Sequence, residues 1–141
     1  MGDDEVATVR TLTEYREAIR AIVVARSGRI VDSPGDNVLA EFGSAVDAVE
    51  AALAVQAELA TRNDALPENR RMQFRIGVNL GDLVVEGDRI YGDGVNIAAR
   101  VEALAHAGGI CVSSKVHDEV RRKLQRQRER QRRRAPWSRK G

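Results

Sequence analysis

The sequence predicts an α+β fold, with helices packed on one face of a mainly antiparallel sheet. Stretches with apolar residues at helical spacing alternate with short apolar runs of period two, and turn-forming residues join those runs at hairpin lengths. The resulting order is helix, hairpin, helix, hairpin, helix, strand, which is that of an α+β sandwich.

The first helix follows from Val6, Val9, Leu12, Ile19, Ile22 and Val23 and runs to about Arg26, with Ser27 and Gly28 as its stop. Residues 29–31 and 38–42 flank Ser33-Pro34-Gly35-Asp36-Asn37, a run with strong hairpin chemistry. Ser44, with Asp47 three residues on, starts a second helix that carries Val46, Val49, Leu53, Val55 and Leu59 and ends near Asn63. A polar connection with Pro67 leads to Phe74, Ile76 and Val78, which alternate with Arg75, Gly77 and Asn79. That alternation predicts a strand with one packed face and one solvated or small one. The turn residues 79–82 and the apolar run 83–85 predict that it forms a hairpin with the next strand. A third helix spans residues 92–104, with Asp93 near its start; Gly108-Gly109 ends this region and Ile110-Cys111-Val112 is a short strand.

Composition sets bounds on this reading. A chain of 141 residues supports one domain. No apolar run approaches the roughly 18 residues of a membrane span, and no signal peptide is recognisable. The single Cys111 excludes an internal disulfide and is expected as a buried structural thiol in a reducing, cytoplasmic setting. His106 and His117 lack the spacing of a zinc site and are expected in solvent. Phe74 and Tyr91 are expected in the core or an interface.

Charge is strongly segregated. Residues 1–120 carry 12 basic and 20 acidic side chains, a net charge of −8, and residues 121–141 carry 11 basic and one acidic, a net charge of +10. The chain therefore divides into an acidic domain, 1–120, and a basic Arg/Gln-rich tail, 121–141. Leu124 is the only leucine, isoleucine or valine in that tail, which is expected as a frayed helix or disordered. Such a run suits nucleic acid, an anionic membrane or an acidic protein surface, although Trp137 alone offers base stacking.

Asn96 and Arg100 are four residues apart, so they share one face of the third helix. A planar amide and a cationic fork placed this way can hold a phosphate or a ribose, although spacing alone favours a plain solvated face.

The stretch IYGDGVNIAAR, preceded by FRIGVNLGDLVVEGD and followed by GGICVS, resembles the core of class III nucleotidyl cyclases, the adenylate and guanylate cyclase domain. The likeness continues upstream through GRIVDSPGDNVLAEF and covers roughly residues 1–120. It implies a ferredoxin-like core and formation of a 3′,5′-cyclic nucleotide from ATP or another nucleoside triphosphate at a dimer interface. In such cyclases the ribose 3′-oxygen attacks the α-phosphorus and pyrophosphate leaves. Two divalent ions, Mg2+ or Mn2+, lower the pKa of the attacking hydroxyl and neutralise phosphate charge. The resemblance assigns Asp36 to metal binding. It assigns Asn96 and Arg100 to the ribose and the transition-state phosphoryl group across the dimer.

Three departures modify these expectations. The family places a central strand with the other metal carboxylate before the first helix. Residues 1–5 do not match it, so metal binding by the chain, and its activity alone, are expected to be weak. At two base-selecting positions Asp32 stands where adenylate cyclases commonly carry Lys, and Arg89 where they carry Asp or Thr, which fits either an ion pair with exchanged charges or two unrelated surface charges. Beyond Ser114, residues 121–134 are nearly all Arg, Gln and Lys where the family continues with strands and a phosphate-contacting Lys. Two other functions fit the same residues: a non-catalytic partner that supplies Asn96 and Arg100 to another cyclase subunit, and a binder of anionic surfaces through the tail.

Overall fold

A computed structural model describes residues 2–31, 37–81, 84–86 and 89–134. The elements are α1 (Gly2–Ala25), β1 (Arg29–Val31), β2 (Leu39–Glu41), α2 (Ala45–Asp64), a 3-10 turn (Glu68–Arg70), β3 (Ile76–Val78), β4 (Val84–Glu86), β5 (Arg89–Tyr91), α3 (Asp93–Leu104), β6 (Ile110–Val112) and α4 (Ser114–Arg134).

Helix α1 buries a stripe of every fourth residue, Thr11, Tyr15, Ile19 and Val23, because side chains at that spacing stack on one face. It closes with two backbone bonds, from Ser27 N to Val24 O at 3.1 Å and from Gly28 N to Val23 O at 2.8 Å. This is the Schellman pattern, and Ser27 takes its left-handed position at φ 62°. Gly28 is needed beside it for another reason: a Cβ there would lie 2.4 Å from the Phe42 ring. Helix α2 starts as expected, with the Ser44 hydroxyl accepting a bond from Asp47 N at 3.1 Å.

Two clusters form the core. Tyr15, Ile19 and Val23 of α1 meet Val55 and Leu59 of α2, with Ile30, Ala40, Phe42, Met72 and Phe74 packed around them. Ala45 and Ala52 of α2 meet Val78 of β3 and Val116 of α4, with Ile110 and Val112 beside them. Ile76 touches both clusters, so β3 is the seam between them.

Strand pairing differs from expectation at β3. β1 and β2 form the predicted antiparallel hairpin, but among the described residues β3 does not pair with the strand that follows it. It runs parallel to β6, with Ile76 opposite Ile110 and Val78 opposite Val112. The second hairpin is β4 with β5, Val84 opposite Tyr91, one strand later than the sequence suggested. The cause lies in α2. The Gln56 amide donates to Phe74 O at 2.8 Å and to Gly109 O at 2.9 Å, which holds the entrances of β3 and β6 together.

Helix α3 also departs from a single helical face. Ile76 and Val78 point into the core, so the intervening Gly77 points to the opposite side. There it meets the backbone of α3. Helices therefore cover both sides of the β3–β6 pair.

A buried polar network pins α1 to α2 and the loop beyond. Tyr15 Oη donates to Asn63 Oδ1 at 2.6 Å, Met72 N donates to the same oxygen at 3.1 Å, and Asn63 Nδ2 donates to Met72 O at 2.7 Å. Burial raises the Tyr15 phenol above its ordinary 10.0, with Arg62 opposing and Glu14 adding to the shift. The neutral phenol is the form the fold favours. Its contribution is complete below pH 10 and is lost as pH rises through the folded value.

Asn63→Ala strands the Tyr15 hydroxyl and both Met72 backbone groups, and is expected to cost about 3 kcal/mol. Tyr15→Phe, which leaves Asn63 bonded to Met72, is expected to cost about 1 kcal/mol. Urea unfolding of the two variants checks both values, and an equal loss in the two would contradict the network.

Candidate functional site on helix α3

The site is built from the way α3 is seated. At the exit of β3 the Asn79 amide donates to Gly94 O at 3.1 Å and ties the first turn of the helix to the strand. Gly94 is buried, and a Cβ on Gly81 would sit 3.3 Å from its Cα. Gly92, at φ 122°, precedes the helix in a backbone conformation that only glycine takes easily. Further along, a Cβ on Gly77 would lie 2.4 Å from Glu102 N and 2.7 Å from Ala98 O. Strand and helix are in backbone contact, with no side chain between them to tilt or shift the helix.

With Gly94, Val101 and Ala105 turned inward, the outward face of α3 presents Asn96, Ile97, Arg100 and Leu104. Asn96 and Arg100 lie together on the exposed side, as the spacing predicted, and neither makes a hydrogen bond or ion pair with another described residue. Beside them Leu104 is 75% exposed and Ile97 40%. A planar amide, a guanidinium and two apolar side chains thus share one open face.

The other proposed site residues are not brought into view. Asp32 and Asp36 lie outside the described residues, and only the backbone of Arg89, in β5, is described. No group of three or more His, Cys, Asp or Glu side chains that could hold a metal occurs among the described residues. Cys111 is free and half-buried; His106 and His117 are exposed. Phe74 packs against the core, its ring centroid 6.3 Å from that of Tyr15. The side chain of Tyr91 is outside the description, as is Trp137.

Sequence reasoning missed three positioning residues. Asn79 was legible only as a turn former, although its amide anchors α3. Gly77 read as a small residue on a solvated face. Gln56 interrupts the apolar run Ala54-Val55-Gln56-Ala57, and that polar intrusion was the signal that its amide bonds the backbone of the neighbouring strands.

Solved structures share this fold. The crystal structure of an adenylate/guanylate cyclase/hydrolase from Silicibacter pomeroyi superposes with a TM-score of 0.71 at 42% identity, covering 77% of this chain and 64% of that one. The adenylyl cyclase CyaB from P. aeruginosa superposes with a TM-score of 0.65 at 24% identity, over 80% of this chain and 68% of that one, a likeness of fold. The fold is that of a class III nucleotidyl cyclase domain.

The sequence agrees. The adenylate and guanylate cyclase catalytic domain family matches residues 3–136, and the chain belongs to that family. Putative adenylate cyclase 3 of Rhizobium meliloti is 47% identical over 121 residues, which are 85% of this chain and 21% of that protein. An adenylate cyclase of Streptomyces coelicolor is 30% identical over 99 residues, 70% of this chain and 24% of that protein. The chain thus spans a quarter or less of the length of these relatives. The family takes nucleoside triphosphates, generally uses divalent metals and dimerises. No helix among the described residues is long and apolar enough to cross a membrane.

Gly77→Ala is expected to force β3 and α3 apart at a cost of about 1–3 kcal/mol, because its nearest neighbours are backbone atoms that cannot rotate away. Gly43→Ala meets nothing within 4 Å and is expected to stay within about 0.5 kcal/mol of the parent. Parallel denaturant titrations of the two variants test the close approach.

Proposed function

We propose that this chain is a nucleotidyl cyclase half-site. It forms a 3′,5′-cyclic nucleotide and pyrophosphate from a nucleoside triphosphate, the active centre being completed across a dimer. The observation that carries this reading is the open face of α3. Asn96 and Arg100 have no partner within the described chain, and the exposed Ile97 and Leu104 beside them are suited to burial against a second subunit. Covered in that way, the guanidinium would act in a water-poor cleft, where its attraction for a developing phosphoryl charge is far stronger than in water.

In this proposal Asn96 orients the ribose through its amide, and Arg100 stabilises the charge that builds on the α-phosphoryl oxygens as the 3′-oxygen attacks. The seating of α3 on Gly77 and Asn79 fixes the helix backbone that carries both side chains, so only the side chains themselves have to be ordered when the substrate arrives. Asp32 and Arg89 are assigned to the base, as a charge-exchanged pair. A divalent ion would lower the pKa of the 3′-hydroxyl and offset phosphate charge. Asp36 is the carboxylate proposed for it, and these 141 residues carry no match to the second one. The polypeptide by itself is therefore proposed to be weak or inactive, and to be active as the Asn96/Arg100 donor to a subunit that has both carboxylates.

The test is a cyclase assay with ATP and with GTP in manganese, on this chain alone and mixed with a cyclase subunit whose own Asn and Arg have been replaced. Activity is expected in the mixture and near background for the chain alone. Asn96→Ala and Arg100→Ala in this chain are each expected to lower the mixed activity by about 100-fold or more without changing the unfolding midpoint, since both side chains are exposed. Unchanged mixed activity in both variants would contradict the assignment, and robust turnover by the chain alone would contradict the half-site reading.

A further inference from the structure

The C-terminal helix carries a feature that cyclisation does not use. α4 is anchored at its start, where Val116, 1% exposed, is locked into the second core cluster with Val120 beside it. Past Leu124 no residue touches the core: residues 125–133 are all exposed. The helix therefore leaves the domain as a solvent-bathed rod, about 21 Å long over residues 121–134 at the α-helical rise.

That rod carries nine basic side chains and one acidic one. Arg122 and Lys123 are ion-paired with Glu119, at 3.0 and 3.8 Å. Arg121, Arg126, Arg128, Arg130, Arg132 and Arg133 have no carboxylate partner among the described residues. At 3.6 residues per turn the basic positions sweep roughly two-thirds of the circumference. The remaining stripe holds Leu124, Gln127 and Gln131.

This distribution selects among anionic partners. A helix that lies in a membrane surface needs an apolar face, and Leu124, 45% exposed, is the only apolar residue on this rod. A flat acidic surface can meet only one side of a helix whose charge covers about two-thirds of its circumference, and would leave part of that charge unmatched. Duplex DNA presents phosphates on two walls, and its major groove, about 12 Å wide, admits a helix about 10–12 Å across. Charge on opposite flanks of the helix then meets charge on both walls. The domain behind it has a net charge of −8 over residues 1–120, so it is repelled by DNA and contact is confined to the rod.

We propose that residues 121–134 of α4 form a docking helix for duplex DNA, seated in the major groove and held by phosphate contacts. The binding is electrostatic and largely independent of sequence. It makes this chain a cyclase-family domain that can be retained on DNA.

The test uses the full chain and a fluorescent duplex of about 20 base pairs, followed by anisotropy from about 50 to 200 mM KCl. With about six phosphate contacts, log affinity is expected to fall against log salt with a slope of about −5. Replacing Arg126, Arg128, Arg130, Arg132 and Arg133 by Gln is expected to weaken binding at least about tenfold at the lowest salt and to flatten the slope to about −1. Replacing the same five by Lys is expected to retain binding. Circular dichroism of both variants checks that the helix persists. Methyl green, which occupies the major groove, is expected to displace the chain where distamycin does not. The proposal is overturned by no binding at the lowest salt, by affinity that survives the Gln replacements, by displacement with distamycin alone, or by tighter capture on polyglutamate or on phosphatidylserine vesicles than on the duplex.

Discussion

A parallel pair of three-residue strands has little of its own to hold it together, and the whole site rests on one. β3 and β6 exchange few backbone bonds, and parallel pairs are stable chiefly when both faces are covered. Here α1, α2 and α4 supply one cover through Ile76, Val78, Ile110 and Val112, and α3 supplies the other by lying directly on Gly77. Gln56 completes the arrangement by bridging Phe74 O and Gly109 O with one amide, each carbonyl also accepting a backbone N–H, from Gly108 and Ile76 respectively. The orientation of Asn96 and Arg100 follows from this packing, since α3 has few independent means of finding its place.

Much of this was legible from local signals. The stripe on α1, the Ser44 cap of α2, the β1–β2 hairpin and the bounds of α3 each depend on residues near one another in the chain, where spacing and turn chemistry are informative. β3 was read wrongly for the same reason. Asn79 and Gly81 do suit a turn, but they lie against the first turn of α3 at Gly94, while the true partner of Ile76 is Ile110, brought in by tertiary packing. The functional face was partly legible: helical spacing put Asn96 and Arg100 side by side, but only the inward turn of Gly94, Val101 and Ala105 shows that their side of the helix is the open one. What positions that face was not legible, because a glycine chosen for closeness and one chosen for a turn look the same in a sequence.

Charge segregation gives the two ends of the molecule different physical characters. The domain is acidic and its ion pairs are peripheral: Arg26 with Glu50 and Arg29 with Glu41 are both largely solvated, so they contribute modestly and fade with salt. In α4 Asp118 lies beside His117, Glu119 pairs with Arg122 and Lys123, and only Glu129 stands beyond them. Its outer half is helical without packing, which leaves propensity and the anchored first turns to sustain it. Mutual repulsion along such a rod is relieved by any polyanion, so order and binding there are coupled.

The pairing of β3 with β6 also sets a timetable for synthesis. α1, the first hairpin and α2 can assemble their shared core as soon as residue 76 has left the ribosome, because that cluster draws nothing from beyond Ile76. β3 cannot be completed until residue 112 emerges, and meanwhile both of its edges and the apolar side of α2 that faces Val116 stay open to solvent. At ordinary elongation rates that exposure lasts a few seconds. The nascent chain is then a folded half carrying a sticky seam, and that is the interval in which a chaperone, or a second nascent copy, has most to hold.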